Sequence, residues 1–246
     1  MTGGSRGIGR SIVLGAIARG ARVAFCARTL GEPARQVRAE AERLGGPGCV
    51  LAVRTDVSAR GDVDAFVDAT LDRWGTVDVL VNNAAIDRDA LLLQMPVAEF
   101  GAVLAVNLTG PFLMSRRVLR EFLRHDVPGT IVNIGSIFDR GAPSQAAYSA
   151  SKGGLRGLTE AIAEQYGPSG IRANLVVSGF VETELSRHMP PHFRKAVLAN
   201  PLSREGRAEE VASAVLLFAG RAGRAVNGAA VYASGGIVDA NFAGGS

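Results

Sequence analysis

Thr2-Gly3-Gly4-Ser5-Arg6-Gly7-Ile8-Gly9 follows a single methionine, and residues 10–19 then read as an amphipathic helix with Ile12, Val13, Ala16 and Ile17 on one side. Gly3, Gly7 and Gly9 stand in the spacing G-x-x-x-G-x-G. A glycine turn that feeds a helix N-terminus brings bare backbone N–H groups and the positive end of the helix dipole to one point. That arrangement cradles phosphate. The same spacing suits a plain turn with an N-cap, so its weight depends on the rest of the chain.

In front of such a turn a dinucleotide-binding sheet normally carries a buried central strand of about six apolar residues. Here only Met1 precedes Thr2. Five or six large apolar side chains contribute on the order of 10 kcal/mol when buried. A whole domain is stable by only about 5–15 kcal/mol. The first strand is therefore expected to be truncated, and the recorded start is expected to lie inside the natural coding region.

Downstream, buried strands alternate with helical stretches. Residues 22–27, 49–54, 78–82, 130–134 and 171–177 read as strands, with a short one near 230–233. Helical periodicity covers 32–44, 59–73, 97–124, the stretch around Tyr148 to about 166, and 208–219. This order predicts an α/β fold: one Rossmann-type, doubly wound parallel sheet with helices on both faces, spanning 1–246 as a single domain. An irregular, proline-containing stretch at 184–201 reads as a substrate lid within it.

The end of the second strand position bears on the cofactor. An acid there would bind the adenosine ribose hydroxyls of NAD. Ala27 occupies that point, Arg28 follows, and Arg6 lies in the glycine loop. Two guanidinium groups near the ribose suit a 2′-phosphate, so NADP(H) is the expected cofactor; two solvated arginines are the plainer alternative. Asp56 and Val57 follow the third strand position. The Asp56 carboxylate suits the adenine amino group, or equally the N-cap of the next helix. Asn83 and Ala84 place small residues where a cofactor could lie close to the backbone.

Residues 97–124 read as one long helix with a fault inside it, because Pro111 sits four residues after Asn107. Proline has no N–H, so the Asn107 carbonyl loses its normal donor and is free to hold a water; a harmless kink is the alternative. Arg116, Arg117, Arg120 and Arg124 line the rest of that helix. They read as a solvated face or subunit contact, with docking of an acidic carrier protein as the sharper reading.

Ser136 ends a buried strand at the sheet edge where α/β folds place their sites. Tyr148 and Lys152 lie four apart, one above the other on a helix. A phenol near pKa 10 is a poor acid at neutral pH, and a fixed ammonium beside it is expected to pull that value down. Such a tyrosine can protonate a carbonyl oxygen that is becoming an alkoxide.

Composition narrows the class. The 246 residues are 47% hydrophobic with a net charge of +4, and the basic residues are spread without a tail or block. A nucleic-acid partner is not expected. No uninterrupted apolar run reaches the roughly 18 residues of a membrane span, so no membrane partner is expected either. Cys26 and Cys49 both sit in strands and read as buried reduced thiols, which suits a cytoplasmic protein. His125, His188 and His192 lack ligand spacing with them, so no metal is expected.

Together, T-G-x-x-x-G-I-G at 2–9, Asn82-Asn83-Ala84, the mid-helix Asn107, Ser136, and Y-x-x-x-K at 148–152 resemble the short-chain dehydrogenase/reductase superfamily over nearly the whole chain. Within it, Asp87 to Leu92, Gly141 to Tyr148, Gly179 to Thr183 and the ending Asn227-Gly228 … Ser234-Gly235-Gly236 are most similar to the 3-oxoacyl-[acyl-carrier-protein] reductases. The resemblance implies a catalytic set of Asn107, Ser136, Tyr148 and Lys152. It implies that Tyr148 donates the proton, Lys152 holds the nicotinamide ribose, Ser136 orients the carbonyl, and the Asn107 main chain holds a relay water. It implies cofactor contacts from Gly3, Ser5, Arg6, Gly7, Ile8, Gly9, Arg28, Asp56, Val57, Asn83, Ala84, Tyr148, Lys152, Val181 and Thr183. The implied activity is NADPH-dependent reduction of a ketone, with a 3-oxoacyl or polyketide thioester on a carrier protein first. The implied assembly is a homotetramer or homodimer. An alcohol dehydrogenase of another small substrate and a non-catalytic dinucleotide-binding protein are the alternatives. Ala85, Ser178, Ala229 and Ser234 depart from the family pattern without removing a catalytic group.

Overall fold

A computed structural model describes residues 1–181 and 201–237; Thr183 and residues 184–200 of the expected lid lie outside the described residues. Among the described residues six parallel strands are formed: β1 (Val23–Ala27), β2 (Val50–Arg54), β3 (Val79–Asn82), β4 (Thr130–Ser136), β5 (Arg172–Ser178) and β6 (Ala230–Ala233). The helices between them are α1 (Gly7–Ile17), α2 (Glu32–Gly45), α3 (Arg60–Trp74), α4 (Val97–Leu104), α5 (Gly110–Arg124), α6 (Ala146–Tyr166) and α7 (Ala208–Ala219). Parallel strands covered on both faces read as near-continuous apolar runs, and all seven residues of β4 are buried. One face of the sheet packs on α1, α2 and α7 through Ile12, Val13, Val37, Val215 and Phe218. The other packs on α3, α5 and α6 through Phe66, Met114, Val118, Phe122 and Ile162. This is the doubly wound arrangement expected.

The sheet is in two pieces, a β1–β2 pair and a four-stranded β3–β4–β5–β6. Met1 and Thr2 bridge them. The Cys26 N–H donates to the Met1 carbonyl (3.0 Å) and the Thr2 N–H to the Val81 carbonyl (2.9 Å). Above this rung a cavity of about 520 Å³ runs between the two pieces. Met1 and Thr2 thus form a single rung between β1 and β3.

Residues 97–124 follow the expected faulted helix. α4 passes into a π-helical turn, Ala105–Thr109, and then into α5 with Pro111 in its first turn. The Gly110 N–H donates to the Ala105 carbonyl, five residues back. A π turn absorbs the missing proline donor by inserting one residue into the ladder. Val97–Arg124 is long and apolar enough, by length and composition, to cross a membrane, which qualifies the reading of the uninterrupted runs. In the fold its Met114, Val118 and Phe122 enter the sheet core. The expected arginine face is also corrected. Arg117 is ion-paired to Asp68 (2.6 Å) and to Glu121, and its side chain is 15% exposed. Arg116, Arg120 and Arg124 remain exposed.

Candidate active site

The glycine loop runs from Met1–Thr2 into α1, whose N-cap is Arg6. Gly3 and Gly7 have φ of 68° and 52°, where a side chain would be strained. A Cβ on Gly9 would lie 2.0 Å from the Gly3 carbonyl oxygen, and one on Gly3 would lie 2.9 Å from Ala84 Cα. Only glycine permits this close packing of loop, helix start and the end of β3. Ser5 and Ile8 lie on the same loop and first helical turn.

Asn83 ties the loop to β3. Its Nδ2 donates to the carbonyls of Thr2 (3.1 Å) and Gly3 (3.0 Å). The Thr2 hydroxyl in turn accepts from the N–H groups of Asn83 (3.0 Å) and Ala84 (3.1 Å). Thr2 is thus a positioning residue for the cradle. The sequence reading used it only as part of the motif, because its two donors come from a segment some eighty residues away.

At the ends of β1 and β2 the register places Ala27 opposite Arg54. Arg28 and Arg54 both lower the pKa of Asp56, after the larger effect of Ser58. Asp56 Oδ1 accepts from the Ser58 N–H (2.9 Å) and hydroxyl (2.6 Å). The N-cap of α3 is Ala59, so Asp56 holds its own turn rather than capping the helix. Arg54 is a third cation that sequence reading passed over. Its proximity to Arg28 follows from strand pairing, not from sequence distance. Val57 is buried, and a Cβ on Gly110 would meet its side chain at 3.0 Å. Val181, three residues past the end of β5, is buried and bridges Gly206.

The four expected catalytic residues converge at the C-terminal edge of β4. Ser136 is the last residue of that strand, and β5 ends beside it at Ser178. The Asn107 side chain, buried in the π turn, accepts from the Ile86 N–H (2.9 Å). It donates to the Ile86 carbonyl (2.9 Å) and to the Ser151 hydroxyl (3.2 Å). The Ser151 hydroxyl donates to the Tyr148 carbonyl (2.7 Å). Asn107 therefore fastens the segment after β3 to the helix that carries Tyr148 and Lys152. Lys152 is buried, and its ammonium donates to the Ile134 carbonyl (2.8 Å) while lying 5.5 Å from the Tyr148 ring centre. Below them, Asn82 Nδ2 donates to Asn133 Oδ1 (2.9 Å), and Asn133 Nδ2 to the Thr159 hydroxyl (2.8 Å). That chain pins α6 to β3 and β4 in one register.

The expected acidification of Tyr148 is not what this arrangement produces. Its pKa is raised, first by burial and then by the charge of Asp87, with a smaller push from Asp89; a hydrogen bond with Ser136 works the other way. Desolvation acts on the phenolate in full, whereas the ammonium of Lys152 is spent on Ile134. Asp87, Asp89 and Gln145 are the site residues that sequence reasoning used only as marks of resemblance. Gln145 Nε2 donates to Asp87 Oδ2 (3.1 Å) and to Asp89 Oδ1. Burial and the charge of Asp87 lift Asp89 to about 6. A glutamine three residues before Tyr148 signals this only once the Asp87–Ala90 segment is known to lie against it.

Burial lowers the Lys152 ammonium from 10.5 to about 8, against the opposing charge of Asp87. Between those two values the folded protein has released a proton that the unfolded chain still holds. Stability from this group therefore rises over that window and is flat below it. Lys152→Met is expected to lose the rise. Thermal midpoints of parent and variant across the window check it, and parallel curves would refute it.

A family profile described as Enoyl-(Acyl carrier protein) reductase matches residues 3–238. The 2-(R)-hydroxypropyl-CoM dehydrogenase of Xanthobacter autotrophicus is 42% identical over 96% of both chains. A 3-oxoacyl-[acyl-carrier-protein] reductase of Synechocystis is 37% identical over 89% of this chain and 87% of its own. Among solved structures, a short chain dehydrogenase from Burkholderia cenocepacia in complex with NADP superposes with a TM-score of 0.88 at 32% identity, over 96% of this chain and 95% of its own. A 3-ketoacyl-(acyl-carrier-protein) reductase from Brucella melitensis complexed with NADH does so with a TM-score of 0.88 at 29% identity, over 96% of each chain.

Proposed function

The chain belongs to the short-chain dehydrogenase/reductase family of oxidoreductases, and on that premise we propose that it is an NADPH-dependent ketoreductase acting on a 3-oxoacyl or polyketide thioester carried by an acyl-carrier protein. The observation that carries the reading is the convergence of Ser136, Tyr148 and Lys152 at one sheet edge, fastened through Asn107 to the segment after β3.

The cradle of Gly3, Ser5, Arg6, Gly7, Ile8 and Gly9 fits a pyrophosphate, since its glycines let the loop fold tightly at the N-terminus of α1. Arg28, with Arg54 beside it, suits a 2′-phosphate. Asp56, Val57, Asn83 and Ala84 suit the adenosine side and Val181 the nicotinamide side; Thr183 lies outside the described residues. When bound, the cofactor supplies hydride.

The protein's own work is proton delivery and orientation. With its raised pKa, Tyr148 keeps its proton at neutral pH and can give it to an oxygen that gains negative charge. Ser136 hydrogen-bonds that oxygen and fixes the carbonyl plane. Lys152, with a pKa of about 8, is charged at neutral pH and holds ribose hydroxyls. The Asn107 carbonyl holds the water that returns a proton toward Lys152. A dimer or tetramer through the long helices fits the exposed Phe112 and Leu123. The exposed Arg116, Arg120 and Arg124 suit an acidic carrier. Buried free Cys26 and Cys49 suit a reducing compartment such as the cytoplasm.

A second reading, oxidation of a small secondary alcohol, is favoured by the 42% identity to a dehydrogenase, against 37% for the Synechocystis reductase. Purified protein assayed with NADPH and NADH on a short 3-oxoacyl thioester, and in reverse on a panel of secondary alcohols, separates the two. NADPH-dependent reduction is expected. Arg28→Ala should raise the KM for NADPH by about 10–100-fold, the worth of one charge-assisted hydrogen bond, and leave NADH unaffected. Equal use of both cofactors by the parent would overturn the cofactor assignment.

A further inference from the structure

Ser136 is the last residue held by the β4 ladder, so the direction of its hydroxyl depends on the turn that follows. The Phe138 N–H donates to Ser136 Oγ (3.3 Å) and the Asp139 N–H to the Ser136 carbonyl (3.1 Å). Turn and serine therefore move together. Ile137 ties the near side of the turn to β5, its N–H donating to the Ser178 carbonyl (3.1 Å). The next element in the chain is α6, which begins at Ala146.

One side chain holds the far side of that turn. Tyr148, Lys152 and Arg156 follow one another at four-residue steps along α6, on one stripe of the helix. Arg156 Nε (3.0 Å) and Nη2 (2.5 Å) both donate to Asp139 Oδ2, and Nη2 also donates to the Tyr232 hydroxyl (3.1 Å). Tyr232 lies on β6, in register with Val177 of β5. A single guanidinium thus joins the helix of Tyr148, the turn of Ser136 and the last strand of the sheet. The Asp139 side chain is only 3% exposed. The turn also touches the helix backbone, since a Cβ on Gly153 would lie 2.9 Å from the Asp139 carbonyl oxygen.

Loop packing alone does not call for these charges. Ile137, Leu155, Leu175 and Val177 form an apolar cluster there, with Phe138 and Tyr232 against it. An apolar pair in place of Arg156 and Asp139 would extend that cluster without desolvating a carboxylate. The planar fork adds direction: it accepts one placement of the carboxylate, and so one register of turn against helix. Ser136 and Tyr148 must meet on one substrate oxygen, and a displacement of about 1 Å between such groups costs about 100-fold in rate.

We propose that Arg156 is a positioning residue for the reaction: through Asp139 and Tyr232 it fixes the Ser136 hydroxyl relative to Tyr148. This rests on Ser136 and Tyr148 acting together on the substrate oxygen, as read above, and not on which substrate carries that oxygen.

The double variant Arg156→Met/Asp139→Leu removes the latch and both buried charges at once, so that folding should hold. Arg156→Lys keeps the charge and loses the fork. Each is made in the full chain, with and without Ser136→Ala, and assayed on whichever carbonyl or alcohol the parent turns over. The double variant should keep a thermal midpoint close to the parent's. Its KM should stay within about two-fold while kcat falls about 10–100-fold. Arg156→Lys should fall part of the way. In Ser136→Ala protein the same changes should cost little more, because the group they place is gone. Hydrogen exchange at the Phe138 and Asp139 amides should quicken in the double variant, with α6 unchanged. A parent-like kcat, or the same fold loss with and without Ser136, overturns the proposal. So does unaltered exchange at both amides, a readout that needs no turnover. If the double variant melts well below the parent, Arg156→Lys decides by the same comparison with Ser136→Ala. A Ser136→Ala protein as active as the parent overturns the catalytic site read above, and this proposal with it.

Discussion

Tyr148→Phe is expected to lower carbonyl reduction by about 10²–10⁴-fold, the usual worth of a positioned general acid. The change removes one oxygen from a ring held beside Ser136 at the β4 edge. The lost hydrogen bond with Ser136 is replaced by no new clash, and the phenylalanine ring keeps its packing. Folding should survive, and NADPH binding should match the parent, because the cradle lies on a different segment. Single-turnover rates with NADPH, alongside a cofactor titration by fluorescence, give both quantities. A variant that reduces the thioester at the parent's rate would remove Tyr148 from the mechanism. A variant that loses cofactor binding as well would show that the hydroxyl, and not the ring, makes the cofactor contact expected of Tyr148.

Gly9→Ala should be the most damaging methyl group in the molecule. Its Cβ would fall 2.0 Å from the Gly3 carbonyl oxygen and 2.7 Å from Asn83 Nδ2. The first is backbone, so relief requires the loop to open, and the Asn83 bonds to Thr2 and Gly3 are lost with it. NADPH affinity should drop by about 100-fold or more, equivalent to roughly 3 kcal/mol. Gly157→Ala supplies the contrast, since a Cβ there meets nothing within 4 Å on α6. That variant should be stabilised by up to about 1 kcal/mol through helix propensity alone. Isothermal titration with NADPH and thermal melts of both variants check the pair. Unchanged affinity in Gly9→Ala would show that the cofactor binds elsewhere.

Legibility followed the range of the interaction. α7 and β6 lie where their apolar periodicity puts them, at 208–219 and 230–233. The fault near Asn107 was readable from Pro111, because the missing donor is a property of one residue. Its form as a π turn was not, since that depends on how the flanking helices must pack. Arg117 looked like its neighbours on a helix. Only the approach of α3, with Asp64 and Asp68, draws it into an ion-pair network. The sign of the Tyr148 shift also went astray. The i,i+4 spacing to Lys152 is local, but burial and the charge of Asp87 come from the fold.

From the sequence alone came the parallel α/β order, the glycine turn feeding α1, and the fault in the helix at Pro111. All of these are written in spacing or in residue type. The tertiary structure alone decided that Thr2 clamps Asn83 and Ala84, that Arg54 stands beside Arg28, and that Asp87 and Asp89 press on Tyr148. The physical reason is common to these: each arises between segments distant in the chain, where desolvation and backbone pairing are set by what the fold brings alongside.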